Sequence, residues 1–168
     1  TYGDTPSVSY GIYTTSMGAT LSPASATGTA VYIGVPTAAS NAGSYQVTYA
    51  SGLTAPTYAL FSGDAVTLTV SPRVITLSAT PLSKTYGASD PTLSASLTAG
   101  TLSASDTLVD VTGVLTRQAG ENAGSYNIAL GTGVKAANYT ITFAANNQAF
   151  TINKAPLTVT AAAATKTY

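Results

Sequence analysis

Apolar residues recur at every second position through most of the chain. Val8, Tyr10 and Ile12 share one face, as do Tyr45, Val47 and Tyr49, then Ile75, Leu77 and Ala79, and Leu93, Ala95 and Leu97. Tyr126, Ile128 and Leu130 repeat the pattern, followed by Tyr139, Ile141 and Phe143. A two-residue period sends alternate side chains to opposite faces of an extended chain, so each run predicts a half-buried strand. Ser62-Gly63-Asp64 separates residues 58–61 from 66–70 and predicts a hairpin; residues 144–148 form the longer loop of a second hairpin that returns through Phe150 and Ile152. Ala30-Val31-Tyr32-Ile33 is a shorter run ending at Gly34 and Pro36, and residues 14–29 read as loop with at most one short strand near Leu21. Helical signals are scarce. Residues 102–111 alone suit a helical turn, with Ser105 as its N-cap before Leu108 and Val109. The alanine run 161–164 is too short to nucleate a helix.

These elements come in copies. Asn41-Ala42-Gly43-Ser44-Tyr45 returns unchanged as Asn122-Ala123-Gly124-Ser125-Tyr126, 81 residues on, and Thr1-Tyr2-Gly3 returns as Thr85-Tyr86-Gly87 at a spacing of 84. Lys84-Thr85-Tyr86 recurs as Lys166-Thr167-Tyr168, and residues 155–161 match 71–77 with Pro156 falling on Pro72. Phased recurrences of this length indicate tandem repeats. The expected organisation is a copy over residues 1–71 that lacks its first strand, a complete copy over 72–154, and the first strand of a third copy over 155–168. Leu157, Val159 and Ala161 then form a strand that can fill the edge left open in the first copy of another chain, linking chains head to tail.

Length adds that each copy is small, about 80 residues, and buries only about 60 to 65% of its unfolded surface, so it leans on a well-patterned core or on its neighbours. Composition narrows the class. Of all residues 45% are apolar and 7% charged, with zero net charge. Six scattered basic residues make no phosphate-binding track and no patch for an anionic membrane, so neither nucleic acid nor direct membrane insertion is expected. There is no apolar run long enough to span a bilayer. Cysteine is absent, which removes disulfides and thiolate metal sites. A charge-poor, Cys-free, Thr/Ser/Ala/Gly-rich chain has the composition of secreted or cell-surface bacterial proteins.

Laid out as a unit, the repeat reads Pro-Leu-Thr-Val-Thr-Ala, Lys-Thr-Tyr-Gly, Asp90-Pro91, Asn-Ala-Gly-Ser-Tyr-Asn-Ile, Ala-Asn-Tyr-Thr-Ile-Thr-Phe and Phe-Thr-Ile-Asn-Lys. This resembles the MBG domain of the YGX type. Residues 84–154 follow the pattern closely; the first copy departs from it with Ser71-Pro72-Arg73 and Pro56-Thr57-Tyr58. The resemblance implies tandem arrays in large extracellular bacterial proteins, many adhesin-like, a predominantly β fold, and a spacer or adhesive role. It brings no catalytic residues.

Candidate chemistry is thin. Without histidine, Ser-His-Asp and Cys-His catalysis and most zinc sites are excluded. The acids are Asp4, Asp64, Asp90, Asp106, Asp110 and Glu121; a glycosidase would need two of them facing across a cleft. Asp106 and Asp110 are oxygen donors of the kind calcium takes, but read more simply as solvated loop acids. Lys84, Lys135 and Lys154 raise a Lys–Asn crosslink, for which no pattern supplies the third member. Asn138-Tyr139-Thr140 is a formal glycosylation sequon, best explained by Tyr139 facing the core. No enzyme, cofactor or metal is expected.

Tyr45 and Tyr126 should be core anchors whose hydroxyls reach backbone groups, and Gly43 and Gly124 turn glycines at positive φ. Tyr10, Tyr13, Tyr32 and Tyr49 have no aromatic counterparts in the second copy and are the candidates for a surface contact. The fold expected is all-β or predominantly β, as two tandem small domains of β-sandwich (Ig-like) or β-grasp-like form, the helix near residues 104–110 deciding between them. The function expected is a structural module of a secreted or cell-surface bacterial fibre or adhesin stalk, a stiff spacer partnered by neighbouring repeats or copies of itself. The alternative is adhesion to glycan, a host surface or another copy through exposed tyrosines.

Overall fold

The computed structural model describes residues 1–9, 12–13, 20–21, 26–55 and 65–168. The strand predicted at 58–61, its hairpin loop, and Tyr10 lie outside these. In chain order the strands are β1 (Ile12–Tyr13), β2 (Thr20–Leu21), β3 (Thr27–Ile33), β4 (Gly43–Thr54), β5 (Val66–Val70), β6 (Arg73–Ala79) and β7 (Leu82–Thr85). After these come β8 (Ala95–Ala99), β9 (Thr116–Arg117), β10 (Gly124–Tyr126), β11 (Ile128–Ala129), β12 (Tyr139–Phe143) and β13 (Phe150–Asn153). Helix α1 (Leu108–Thr112) lies between β8 and β9, and a 3-10 turn, Ala136–Asn138, leads into β12. The protein is predominantly β, built from several small sheets.

In the N-terminal stretch β3, β4 and β5 form an antiparallel sheet in that order, and β1 pairs with β2. The β3–β4 register shifts between Gly28 and Val31. Glycine is required there: a Cβ on Gly28 would lie 2.2 Å from the Gly52 carbonyl oxygen, and one on Gly52 2.0 Å from that of Thr29. The C-terminal stretch mixes directions. β6 is flanked by antiparallel β8 and parallel β12, and β13 by antiparallel β10 and parallel β7, while β9 pairs with β11. Such parallel pairs depart from the all-antiparallel sheets of an Ig-like sandwich.

The helix is present, with a different cap from the one expected. Thr107, not Ser105, is the N-cap: its hydroxyl accepts from the Asp110 N–H, and the Asp110 carboxylate accepts from the Thr107 N–H at 2.9 Å, a reciprocal capping box. Ser105 instead donates its hydroxyl to Asp106. The capping box holds Asp110 below the ordinary carboxylate range, chiefly through its bonds from Thr107.

Two apolar clusters form the core. One lies wholly in the C-terminal stretch: Ala79, Ile128, Ala149, Phe150 and Ile152, with Tyr126 and Phe143 against it. The other joins Tyr2 and Val70 of the N-terminal stretch to Ile75, Leu77, Val111 and Tyr139. Only Ser71 and Pro72 separate β5 from β6, so the boundary drawn from the repeat passes through a shared core.

Candidate functional site: the junction across Ser71 and Pro72

The junction starts from a turn. Asp4 N–H donates to the Thr1 carbonyl at 3.0 Å, Gly3 has φ +84, and the Tyr2 N–H donates to the carbonyl of Ser71 at 2.9 Å. Positive φ at the third position is what a type II turn asks of glycine. The turn aims Tyr2 at the C-terminal stretch. Its ring meets Tyr139 edge-on, with centroids 5.5 Å apart, and it is 2% exposed.

The hydroxyls of both rings converge on Asp106, whose side chain is fully enclosed. Its carboxylate accepts from the Lys135 ammonium at 2.5 Å, the Tyr139 hydroxyl at 2.6 Å, the Ser105 hydroxyl at 3.2 Å and the Tyr2 hydroxyl at 3.3 Å. Tyr139 in turn accepts from the buried Ser103 N–H at 3.0 Å. Burial pushes the Asp106 carboxyl up, but its four donors outweigh burial and hold it below the ordinary value. The same carboxylate raises Lys135. Burial first, then the bond to Asp106, pushes Tyr139 up to about 12 and raises Tyr2 as well. The result is an ionised acid clamped by a cation and two neutral phenols.

Two further contacts close the junction. Arg73 donates to the Tyr2 carbonyl at 2.9 Å and pairs with Asp4 at 2.8 Å. Asn138, buried at the end of the 3-10 turn, receives the Ala42 N–H at 2.8 Å and donates its amide to the Asn41 side chain at 2.9 Å. The two recurring motifs of the N-terminal stretch are therefore both held by the C-terminal stretch.

A second charged cluster lies inside the C-terminal stretch. Lys84 pairs with Asp90 at 2.6 Å and with Glu121 at 2.5 Å, and Arg117 pairs with the same two acids. The Arg117 guanidinium sits over Tyr126 and Phe150, 5.2 and 5.0 Å from the ring centres. Asp90 and Glu121 thus share two cations and stand close enough for a carboxylate pair. Chemically they are a poor one. Hydrogen bonds from Arg117 and Lys84 hold both below the ordinary range, whereas a glycosidase needs one acid kept protonated.

The residues singled out from sequence are placed as follows. The Tyr45 and Tyr126 hydroxyls donate to the Asn41 and Asn122 carbonyls, each at 2.7 Å, and both rings pack against the core. Of the two turn glycines expected at positive φ, Gly43 has it, at +156, whereas Gly124 does not and needs correction. Both open strands, pairing with Val70 and Ile152, and ordinary strand backbone serves at Gly124. Tyr32 and Tyr49 pack edge-on against each other, centroids 6.5 Å apart, both half-buried, with the Tyr49 hydroxyl accepting from the Leu53 N–H. Tyr13 belongs to β1, and its side chain lies outside the description, as does Tyr10. Leu157 and Val159 are exposed, and Ala161 with them, on a segment that forms no strand.

Asp106 and Asp110 do not converge as cation ligands: one is taken up by the junction, the other by the helix cap. Lys135 and Lys84 are engaged as ammonium groups rather than poised as crosslinking amines.

A protein-family model, the MBG domain of the YGX type, matches residues 75–151. This stretch belongs to that family. No curated protein and no solved structure gave a match. The matched MBG segment contains Asp106, Lys135, Asn138 and Tyr139, the receiving half of the junction. Of that half, Tyr139 faces the core as its sequence setting implies, whereas Asp106 reads from sequence as a solvated loop acid and Asn138 only as part of a formal sequon. The available signal was that Tyr2-Gly3 and Asn41 recur without any catalytic partner of their own.

Proposed function

We propose that the chain is a structural repeat module of a secreted or cell-surface bacterial fibre or adhesin stalk, acting as a stiff spacer and neither an enzyme nor a cofactor carrier. The match to the MBG family suggests a repeat module of extracellular proteins. The observation that carries stiffness is the shared junction: a core cluster, an enclosed carboxylate and an asparagine clamp all cross the two-residue connection. A tether of two residues with nothing packed across it would swing; this one is locked on both sides. Spin labels placed on β4 and β12 should give one narrow distance distribution by electron paramagnetic resonance. A broad distribution would remove the spacer reading.

Strand exchange between chains is a second part of the proposal. Among the described residues β5 is paired only with β4, whereas β13, which pairs with the matching Gly-Ser-Tyr strand, also carries β7 on its other side. Residues 155–168 repeat the sequence that supplies β6 and β7 and are exposed. A tail from another chain can lie along β5 as β7 lies along β13. Light scattering across a concentration series should show assembly of the full chain and none when residues 155–168 are removed; equal assembly by both would sink the idea.

A further inference from the structure

We infer that the turn Tyr86-Gly87, together with Asn122-Ala123, is a docking face for a further MBG repeat, one that presents a carboxylate–lysine–tyrosine pocket and a clamping asparagine like those formed by Asp106, Lys135, Tyr139 and Asn138. The inference rests on the repeat reading and names the contact by which one repeat would hold the next.

The basis is that the two ends share one backbone. Ala88 N–H donates to the Thr85 carbonyl at 3.0 Å, as Asp4 does to Thr1, and Gly87 has φ +86 where Gly3 has +84. The Tyr86 N–H bonds the carbonyl of Asn153, the last residue of β13, at 2.8 Å, as that of Tyr2 bonds Ser71, which follows β5. Asn122 accepts from Tyr126 at the same 2.7 Å that joins Asn41 to Tyr45. Tyrosine, turn glycine and asparagine are therefore presented in matching local settings.

Their surroundings are opposite. Tyr2 is 2% exposed and Tyr86 55%. A Cβ on Gly3 would meet the Ser103 hydroxyl at 2.7 Å, whereas one on Gly87 would meet nothing within 4 Å. Asn138 grips Asn41 and Ala42, and no counterpart among the described residues grips Asn122 and Ala123. The first face shows what covers such a surface: the turn glycine admits a close neighbour, the phenol enters beside an enclosed carboxylate, and an amide bridges to the asparagine turn.

The receiving pocket of this chain is already filled by its own Tyr2, so the test lengthens the chain. A second copy of residues 72–153 is inserted after Asn153, so that Asn153 precedes Pro72 as Ser71 does. Tyrosine nitration mapped by mass spectrometry then compares the inner Tyr86 with the outer one, with Tyr2 as the protected standard. Protection of the inner Tyr86 to the level of Tyr2, reversed by Asp106→Ala in the added copy, is the expected result. An inner Tyr86 as reactive as the outer one, in a chain that small-angle scattering shows to have lengthened, overturns the docking face and leaves the repeat reading intact. A chain that does not lengthen overturns both.

Discussion

Residues 1–4 and 85–88 are one turn in two settings. Each has its tyrosine hydrogen-bonded through the backbone to the end of a closing strand and its glycine at nearly the same positive φ. One tyrosine is sealed against Tyr139 and Asp106; the other stands more than half exposed. Because the backbone is the same, the difference in burial comes from the neighbour alone. The lesson is that the Tyr-Gly motif builds its turn locally but acquires its energetic weight only when a second unit covers it.

That contrast predicts its own largest effect. Tyr2→Ala removes a buried ring and should cost about 3 kcal/mol, in the range of large-to-small core substitutions. Tyr86→Ala should stay within about 0.5 kcal/mol, as surface changes do. Chemical denaturation followed by circular dichroism measures both, and equal costs would break the comparison. Next comes Asp106→Ala, which strands two phenols and a lysine without their acceptor and should cost about 2–3 kcal/mol. Asp90→Asn, whose carboxylate is partly solvated, should cost clearly less in the same assay. Asn138→Ala loses the two bonds to Asn41 and Ala42, for about 1–2 kcal/mol, while Asn122→Ala should be close to neutral.

The smallest effects are those of pH. Asp106 is held below its ordinary value of 3.8, so its contribution is present above that value and is lost as pH falls through the folded pKa. Lys135 is raised above 10.5, so its contribution is complete below that value and disappears as pH rises through the folded one. The Tyr139 phenol keeps its proton to about 12 in the folded chain but to 10.0 when unfolded, and stability should fall across that window. Denaturation midpoints at neutral pH and at each extreme give the two limbs, and Asp106→Asn should flatten the acid one.

Much of the fold was legible along the chain. Period-two alternation located β4, β6, β8, β12 and β13 because half-burial in a sheet writes itself into every second residue. The helix was legible in position but not in its cap: Ser105 and Thr107 are both good N-caps, and the choice was made by Asp110, which stands three residues after Thr107 and can answer its N–H. The tyrosine anchors were legible because the pentapeptide carries both the phenol and the carbonyl that receives it, four residues apart. Gly124 misled, since a glycine after Asn-Ala signals a turn equally well when it only opens a strand.

The junction was not legible, and the reason is separation. Tyr2 and Asp106 are 104 positions apart, and Asn41 and Asn138 are 97, with no period linking them. Local sequence was sufficient for strands, turns and the repeat itself, because those depend on backbone dihedrals and on neighbours within a few residues. Which recurring motif is buried, which carboxylate is enclosed, and which identical turn remains open depend on packing between distant segments. Only the assembled chain could decide them.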